Sequence, residues 1–426
     1  MHVVVAELLT APYLGLPELV ATPEQFDAML VELAKASGPY AVDAERASGY
    51  RYSSRAYLIQ IKREGGGLHL IDPIPFGVGS EHFARLNDLW RDEEIILHAS
   101  TQDLPCLREV GLNPTRLFDT ELAGRLIGLP RVGLGALVES LLDIGLAKEL
   151  SAQDWSVRPL PEDWLNYAAL DVELLIELRN EIEKLLIEKK KLKWAIEEFQ
   201  SILAAPPAPK RVDPWRRTSG MHKVRTRAQL SIVKSLWEAR DDLAAHLDIS
   251  PGRVLSDLAI STIALASNTA PLTTKRDLEK VLRPIGLRAR WFENTPRWLK
   301  AIESALSLTE DELPQTRSKA EALPPIKIWR DRFPEKYIPL SHARFQMSLK
   351  AEELELPVEN LLTPEHLRQI CWQLPDPDEV GRILGEMGAR PWQIEIAAPI
   401  LIKALAESEA LEIPEPEEAV PEVPAE

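Results

Sequence analysis

Residues 56–72 read AYLIQIKREGGGLHLID, and this stretch constrains the fold most. Two apolar runs around a Gly-rich turn predict an antiparallel hairpin. The preceding YAVDAE, residues 40–45, predicts a third strand beside it. EEIILHAS then runs into the helically spaced TQDLPCLREVG, and LFDTELAGRLIG repeats the passage from strand end to helix. Residues from about 25 to 195 therefore read as an α/β unit. Its last part, PEDWLNYAALDVELLIELRNEIEKLLIEKKK, is expected to be the longest helix of the chain, with basic residues at its C-terminal end as the helix dipole favours.

The Pro-rich AAPPAPKRVDPWRRTSG, residues 204–220, breaks every periodicity. We expect a first domain over 1–205, a basic linker over 206–225, an all-α domain over 226–306, a second helical domain over 326–408 and a disordered acidic tail over 409–426. RAQLSIVKSLWEARDDLAAHL, SPGRVLSDLAISTIALA, TKRDLEKVL and TPRWLKAIESAL are the helices of the first all-α block, and the last three begin at Ser or Thr. HLDISPGRVLSDLAISTI and ELELPVENLLTPEHLRQI echo each other loosely between the two blocks. A chain of 426 residues allows about three domains, each expected to have its own core.

No run of eighteen apolar residues occurs, which argues against a membrane span. Glu7 and the lack of a basic leader argue against a secretory signal. Two cysteines, Cys106 and Cys371, suit neither a disulfide framework nor a zinc site, and a cytoplasmic location follows. The net charge of −16 argues against non-specific coating of nucleic acid, but binding depends on local patches.

Asp43 and Glu45 are two apart on a strand, so their carboxylates share one face and repel unless a cation intervenes. Asp103 lies in the first turn of a helix just beyond a strand, and Tyr167 and Asp171 are i and i+4 on one helical face. Hard oxygen ligands of this kind suit Mg²⁺ or Mn²⁺.

Asp-x-Glu, a later strand-end Asp and a Tyr-x-x-x-Asp helix resemble the tyrosine-containing DEDD exonucleases. HASTQDL, FDTELAG, DWSVRPLPEDWLNYAALDVELL and DPWRRTSGMHKVRTRAQLSIVKSLWEAR narrow this to a resemblance to the ribonuclease D family. The resemblance implies an RNase H-like α/β exonuclease domain, a mixed sheet with flanking helices, followed by all-α HRDC-type domains. It also implies two divalent ions held by Asp43, Glu45, Asp103 and Asp171, a water oriented by Tyr167, and stepwise release of 5′-mononucleotides from RNA with a free 3′ end, transfer RNA precursors above all. Arg46 departs from the apolar residue usual after the glutamate; it could touch substrate phosphate or face solvent. Asp119, His98 and Cys106 read as structural. A DNA exonuclease of the same superfamily and a catalytically silent RNA-binding scaffold are the rival readings, and oligomeric state is left open, with a monomer plausible.

Lys210, Arg211, Arg216, Arg217, Lys223, Arg225 and Arg227 crowd the linker against the single acid Asp213. With Trp215 interleaved, this stripe could track an RNA backbone and stack a base. The alternative is a solvated linker whose tryptophan packs one domain on the next.

Overall fold

The structure, a computed structural model, describes residues 7–147, 153–207, 209, 211–269, 272–286, 289–316 and 323–409. Its strands are β1 (Glu7–Leu9), β2 (Leu19–Val20), β3 (Tyr40–Arg46), β4 (Ala56–Arg63), β5 (Gly67–Ile71), β6 (Glu94–Leu97), β7 (Arg116–Asp119) and β8 (Ile144–Leu146). The predicted hairpin is β4–β5, and β3 pairs antiparallel with β4. Six strands form one mixed sheet in the order β2-β5-β4-β3-β6-β7, in which β6 lies parallel to β3 and to β7. β1 and β8 form a separate parallel pair.

The helices of this part are α1 (Pro23–Lys35), α2 (Glu81–Trp90), α3 (Asp103–Val110), α4 (Thr120–Leu126), α5 (Leu134–Leu142), α6 (Glu162–Glu173), α7 (Leu175–Glu188) and α8 (Leu192–Ala204). The single long helix expected over 161–191 is therefore two. The break falls at Leu174, with φ −110° and ψ 10°. There the Lys62 ammonium takes the Glu173 carbonyl oxygen as its acceptor, and the Glu173 carboxylate lies 3.5 Å from the same ammonium. A cation reaching from β4 thus bonds the last turn of α6.

The middle block contains α9 (Arg227–Leu247), α10 (Pro251–Val254), α11 (Asp257–Ala266), α12 (Lys275–Leu282) and α13 (Thr295–Leu306). α9, of 21 residues, is the longest helix among the described residues. The last block contains α14 (Trp329–Arg332), α15 (Pro334–Glu353), α16 (Val358–Leu361), α17 (Pro364–Gln373), α18 (Val380–Glu386) and α19 (Pro391–Glu409). α9 to α12 run 21, 4, 10 and 8 residues, and α15 to α18 run 20, 4, 10 and 7, so the faint sequence echo has a counterpart in element order. The tail beyond residue 409 lies outside the described residues.

Separate cores are expected for each part, yet one apolar core runs from the sheet into the last block. Trp194 of α8 and Trp392 of α19 stack with centroids 4.7 Å apart and planes 15° apart. The Trp392 indole donates to Glu198 Oε1 at 3.0 Å, and the Arg390 guanidinium pairs with the same carboxylate. Lys191 donates from its ammonium to the carbonyls of Leu126 on one side and Leu354 on the other. Gly128, at φ +82°, lets the backbone approach so closely that a Cβ there would overlap the Glu355 carbonyl oxygen.

The middle block keeps its own core and touches the sheet part through polar contacts. Asp248 accepts from the Tyr52 and Ser53 amides at 3.1 and 2.9 Å and from the Tyr57 hydroxyl at 3.1 Å. The Arg253 guanidinium donates to the Gly49 carbonyl at 2.7 Å and lies over the Tyr50 ring.

A shared core makes the two parts unfold together. Trp392→Ala is expected to lower global stability by about 3–5 kcal/mol, the usual cost of emptying a tryptophan site, and to speed amide exchange in β3 and β4 as much as in α19. Faster exchange confined to α15–α19 in deuterium-exchange mass spectrometry would show two independent units instead.

Candidate active site

The site begins with what pins α6 to the sheet. The Arg158 guanidinium forms a two-pronged pair with Asp72 at the end of β5, Nε to Oδ2 at 2.6 Å and Nη2 to Oδ1 at 2.8 Å. Its remaining N–H groups donate to the Trp155, Val157 and Tyr57 carbonyls. The residues DWSVRPLP are thus folded around one arginine, and α6 starts directly after them. From there α6 crosses β3, β4 and β5. Ala168 and Ala169 are fully buried on it, which lets the helix sit close to the sheet. Asn166 Nδ2 donates to the Thr10 carbonyl at 2.7 Å, so the N-terminal segment laces the other flank of α6.

This arrangement brings Tyr167 and Asp171 over the end of β3. One carboxylate oxygen from each of Asp43, Glu45 and Asp171 lies within 4.8 Å of the others. β3 is irregular between Glu45 and Arg46, where its register against β4 shifts. Asp103, only 5 % exposed, stands outside that trio, although it feels the charge of Asp43 and its own charge acts on Glu45. The turn that delivers it is fixed by Asp119, whose Oδ2 accepts from the Ser100 amide and hydroxyl at 2.8 and 2.6 Å and whose Oδ1 caps α4 through the Leu122 amide. Asp119 is therefore a buried positioning group.

Burial pushes Asp43 up to about 6, partly offset by the Ala44 amide and by Arg46. Burial, then the charges of Asp43, Asp171 and Asp103, push Glu45 up to about 9. Asp103 is also held well above the usual carboxylate range, first by burial and then by Asp43. Burial and the neighbouring Asp171, to which its hydroxyl is hydrogen-bonded, hold the Tyr167 phenol well above its ordinary value. A donor set made wholly of carboxylate oxygens, crowded and desolvated, fits a hard divalent cation.

These groups line a cavity of about 1190 Å³. Arg46 is on its wall, with Nη2 3.3 Å from Gln102 Oε1, and so is His98, whose Nδ1 lies 2.9 Å from Thr120 Oγ1. The exposed Arg131, with Gly133 and Leu134 at the start of α5, forms another part of the wall. Sequence reasoning missed Arg131; its only signal is a basic residue inside the Pro/Gly-rich LPRVGLG.

The basic linker needs correction. Trp215 is 2 % exposed and belongs to the core of the middle block, with its indole donating to Asp213 at 3.1 Å. It is not available to stack a base. Arg216 lies over the Trp215 ring and pairs with Asp213, and Arg227 donates to Glu310 and to the Leu313 and Pro314 carbonyls. These two are held by the fold, whereas Arg211, Arg217, Lys223 and Arg225 are exposed; Lys210 lies outside the described residues. Cys106 is buried, its thiol donating to the Asp103 carbonyl at 3.0 Å.

Comparison with known proteins agrees with this geometry. Residues 17–187 match the 3′-5′ exonuclease family, 229–279 the HRDC domain, and 322–405 the 3′ to 5′ exonuclease C-terminal domain. Ribonuclease D of Zymomonas mobilis is 32% identical over 287 residues, covering 66% of this chain and 70% of that protein. A protein from Bifidobacterium adolescentis has a structure matching at TM-score 0.81 with 37% identity, over 94% of this chain and 100% of that one. Escherichia coli RNase D matches at TM-score 0.65 with 24% identity, over 92% and 98% of the two chains. With its acidic cluster, its HRDC block and these relatives, the chain belongs to the ribonuclease D family of 3′-5′ exoribonucleases.

Proposed function

We propose that Asp43, Glu45, Asp103 and Asp171 hold two divalent cations, Mg²⁺ or Mn²⁺, and that the chain removes 5′-mononucleotides from the 3′ end of structured RNA, transfer RNA precursors above all. The observation that carries this is the carboxylate trio within 4.8 Å on the wall of an open cavity. The related E. coli enzyme is described as an exoribonuclease involved in structured RNA processing. Two free, buried thiols suit a reducing cytoplasm.

Bound cations supply Lewis acidity, making water a stronger nucleophile and offsetting charge on the departing 3′ oxygen. The chain does the rest. Asp43 and Glu45 present oxygens from one strand, and Asp171 closes the set from α6, so the relative position of α6 and β3 sets the site's width. Tyr167, a phenol bonded to Asp171 and kept protonated by its raised pKa, orients the attacking water and has no phenolate form at neutral pH with which to take a proton. Arg46, beside the carboxylates without completing a pair to them, meets the incoming phosphate.

Asp43→Asn and Asp171→Asn are each expected to abolish turnover of end-labelled RNA in Mg²⁺ while the chain stays folded by circular dichroism. Tyr167→Phe keeps the ring and is expected to lower kcat by about 100-fold, the scale of a misplaced reactant, with KM little changed. Near wild-type turnover in either Asn variant removes that residue from the metal site.

The raised carboxylates also predict a pH dependence. Asp43 rises from 3.8 to about 6 and Glu45 from 4.5 to about 9. Across that window the native metal-free chain holds more protons than the unfolded one, so its stability falls as pH rises. Thermal melts in EDTA are expected to be lower at pH 8.5 than at pH 6, and Mg²⁺ is expected to raise the melting temperature more at the higher pH. A metal-free protein equally stable at both would show that burial and charge crowding do not raise these carboxylates in the folded state.

A further inference from the structure

Gln60 sits in the middle of β4, fully buried, and neither its Nε2 nor its Oε1 has a hydrogen-bond partner. An unpartnered buried amide costs about 1–3 kcal/mol and calls for an explanation. Its place in the sheet supplies one. Gln60 is the direct cross-strand partner of Asp43, with Glu45 opposite Leu58 and Ala41 opposite Lys62. Directly opposed residues on antiparallel strands point to the same face, with Cβ atoms roughly 4.5–5.5 Å apart. The carboxamide of Gln60 therefore lies under α6 on the carboxylate-bearing face, beside Asp43.

The Ala44 amide gives Asp43 one donor, and a second would fix its remaining oxygen. Its carboxylate, once ionised, only accepts hydrogen bonds, and Glu45, Asp103 and Asp171 around it are acceptors too. A lysine or arginine at position 60 would replace the cation by neutralising the site. A carboxamide offers an N–H without net charge, so it can fix a carboxylate and leave the cation's electrostatic attraction intact. Leucine or isoleucine would fill the same space without the buried polar cost.

We propose that Gln60 is a positioning residue that acts through Asp43: its Nε2 donates to the Asp43 carboxylate in the cation-loaded site and holds that ligand in its binding orientation. This rests on the metal-binding role given above to Asp43. Partners of metal ligands of this kind typically change metal affinity or activity about 10- to 100-fold when removed.

The test is Gln60→Met, which keeps length and volume and removes both polar atoms. Calorimetric titration of the full chain with Mn²⁺, without RNA, is expected to show affinity about 10- to 100-fold weaker than wild type. The EDTA melting temperature is expected to be equal to or higher than that of wild type, because an unpartnered amide has gone. Kinetics are expected to show the loss in kcat with KM for RNA little changed at saturating Mn²⁺. Space filling alone predicts Mn²⁺ affinity within about two-fold of wild type, and that result overturns the proposal. If the wild-type chain itself binds no Mn²⁺, the metal reading fails and this inference with it; if wild type and variant bind alike, this inference alone fails. Should Gln60→Met not fold, a crystal structure of the unsubstituted chain grown with Mn²⁺ decides: Nε2 within about 3.2 Å of an Asp43 oxygen supports the role, and a separation beyond about 4 Å overturns it.

Discussion

Carboxylates this close cannot all be charged in a desolvated site without a counter-charge, and much of the architecture holds them there. Asp43 and Glu45 are forced onto one face by the two-residue period of β3, and Asp171 comes down onto them from α6. Left alone, these buried carboxylates favour taking up protons: burial raises Asp43, Glu45 and Asp103, and neighbouring carboxylates raise Glu45 and Asp103 further. A divalent cation held by these oxygens would give the same relief without protonation. The folding and the chemistry of this protein therefore meet in one electrostatic term, with cation binding and proton release as its two sides.

Holding like charges together requires rigidity from elsewhere, and partly buried ion pairs and hydrogen bonds provide it. Arg158 on Asp72 fixes where α6 begins, and Lys62 on Glu173 fixes where it ends. Asp119 on Ser100 fixes the turn before Asp103. The helical blocks extend the bracing outward. Asp248 and Arg253 hold the β3–β4 connection just after Arg46, and Lys191 and Glu355 hold the segment beside Gly128 that leads to Arg131. Two walls of the cavity are thus fastened to modules that contribute no carboxylate to the cluster.

How far this was legible in the sequence depends on the range of the interaction. The β4–β5 hairpin, the strand–helix alternation and the pairings Asp43–Glu45 and Tyr167–Asp171 follow from period-2 and period-3.6 patterns, while the meeting of those two pairs was implied only by the resemblance to the ribonuclease D family. The patterns are local or nearly so. The break at Leu174 was not legible, because it depends on Lys62, 111 positions away from its Glu173 partner. The fate of Trp215 was not legible either: a tryptophan among arginines reads the same whether it stacks on a base or fills a core. The core shared with α19 rests on Trp194 and Trp392, which look like ordinary amphipathic-helix residues until placed face to face. Gln60 stands in an apolar run as an apparent fault, and only the strand register sets it beside Asp43.

The charge balance gains a local meaning from this geometry. With a net charge of −16 the chain as a whole is unfavourable to RNA, and the cavity floor, lined by carboxylates, offers a phosphodiester no counter-charge of its own. Arg46 and Arg131 on the cavity wall are single positive charges facing several carboxylates, too few to reverse the sign there. Arg211, Arg217, Lys223 and Arg225 are exposed on the linker, beyond the part that carries the carboxylates. These exposed cations thus lie in a different segment from the acidic cavity floor, whose crowded carboxylates favour a divalent cation over a phosphate.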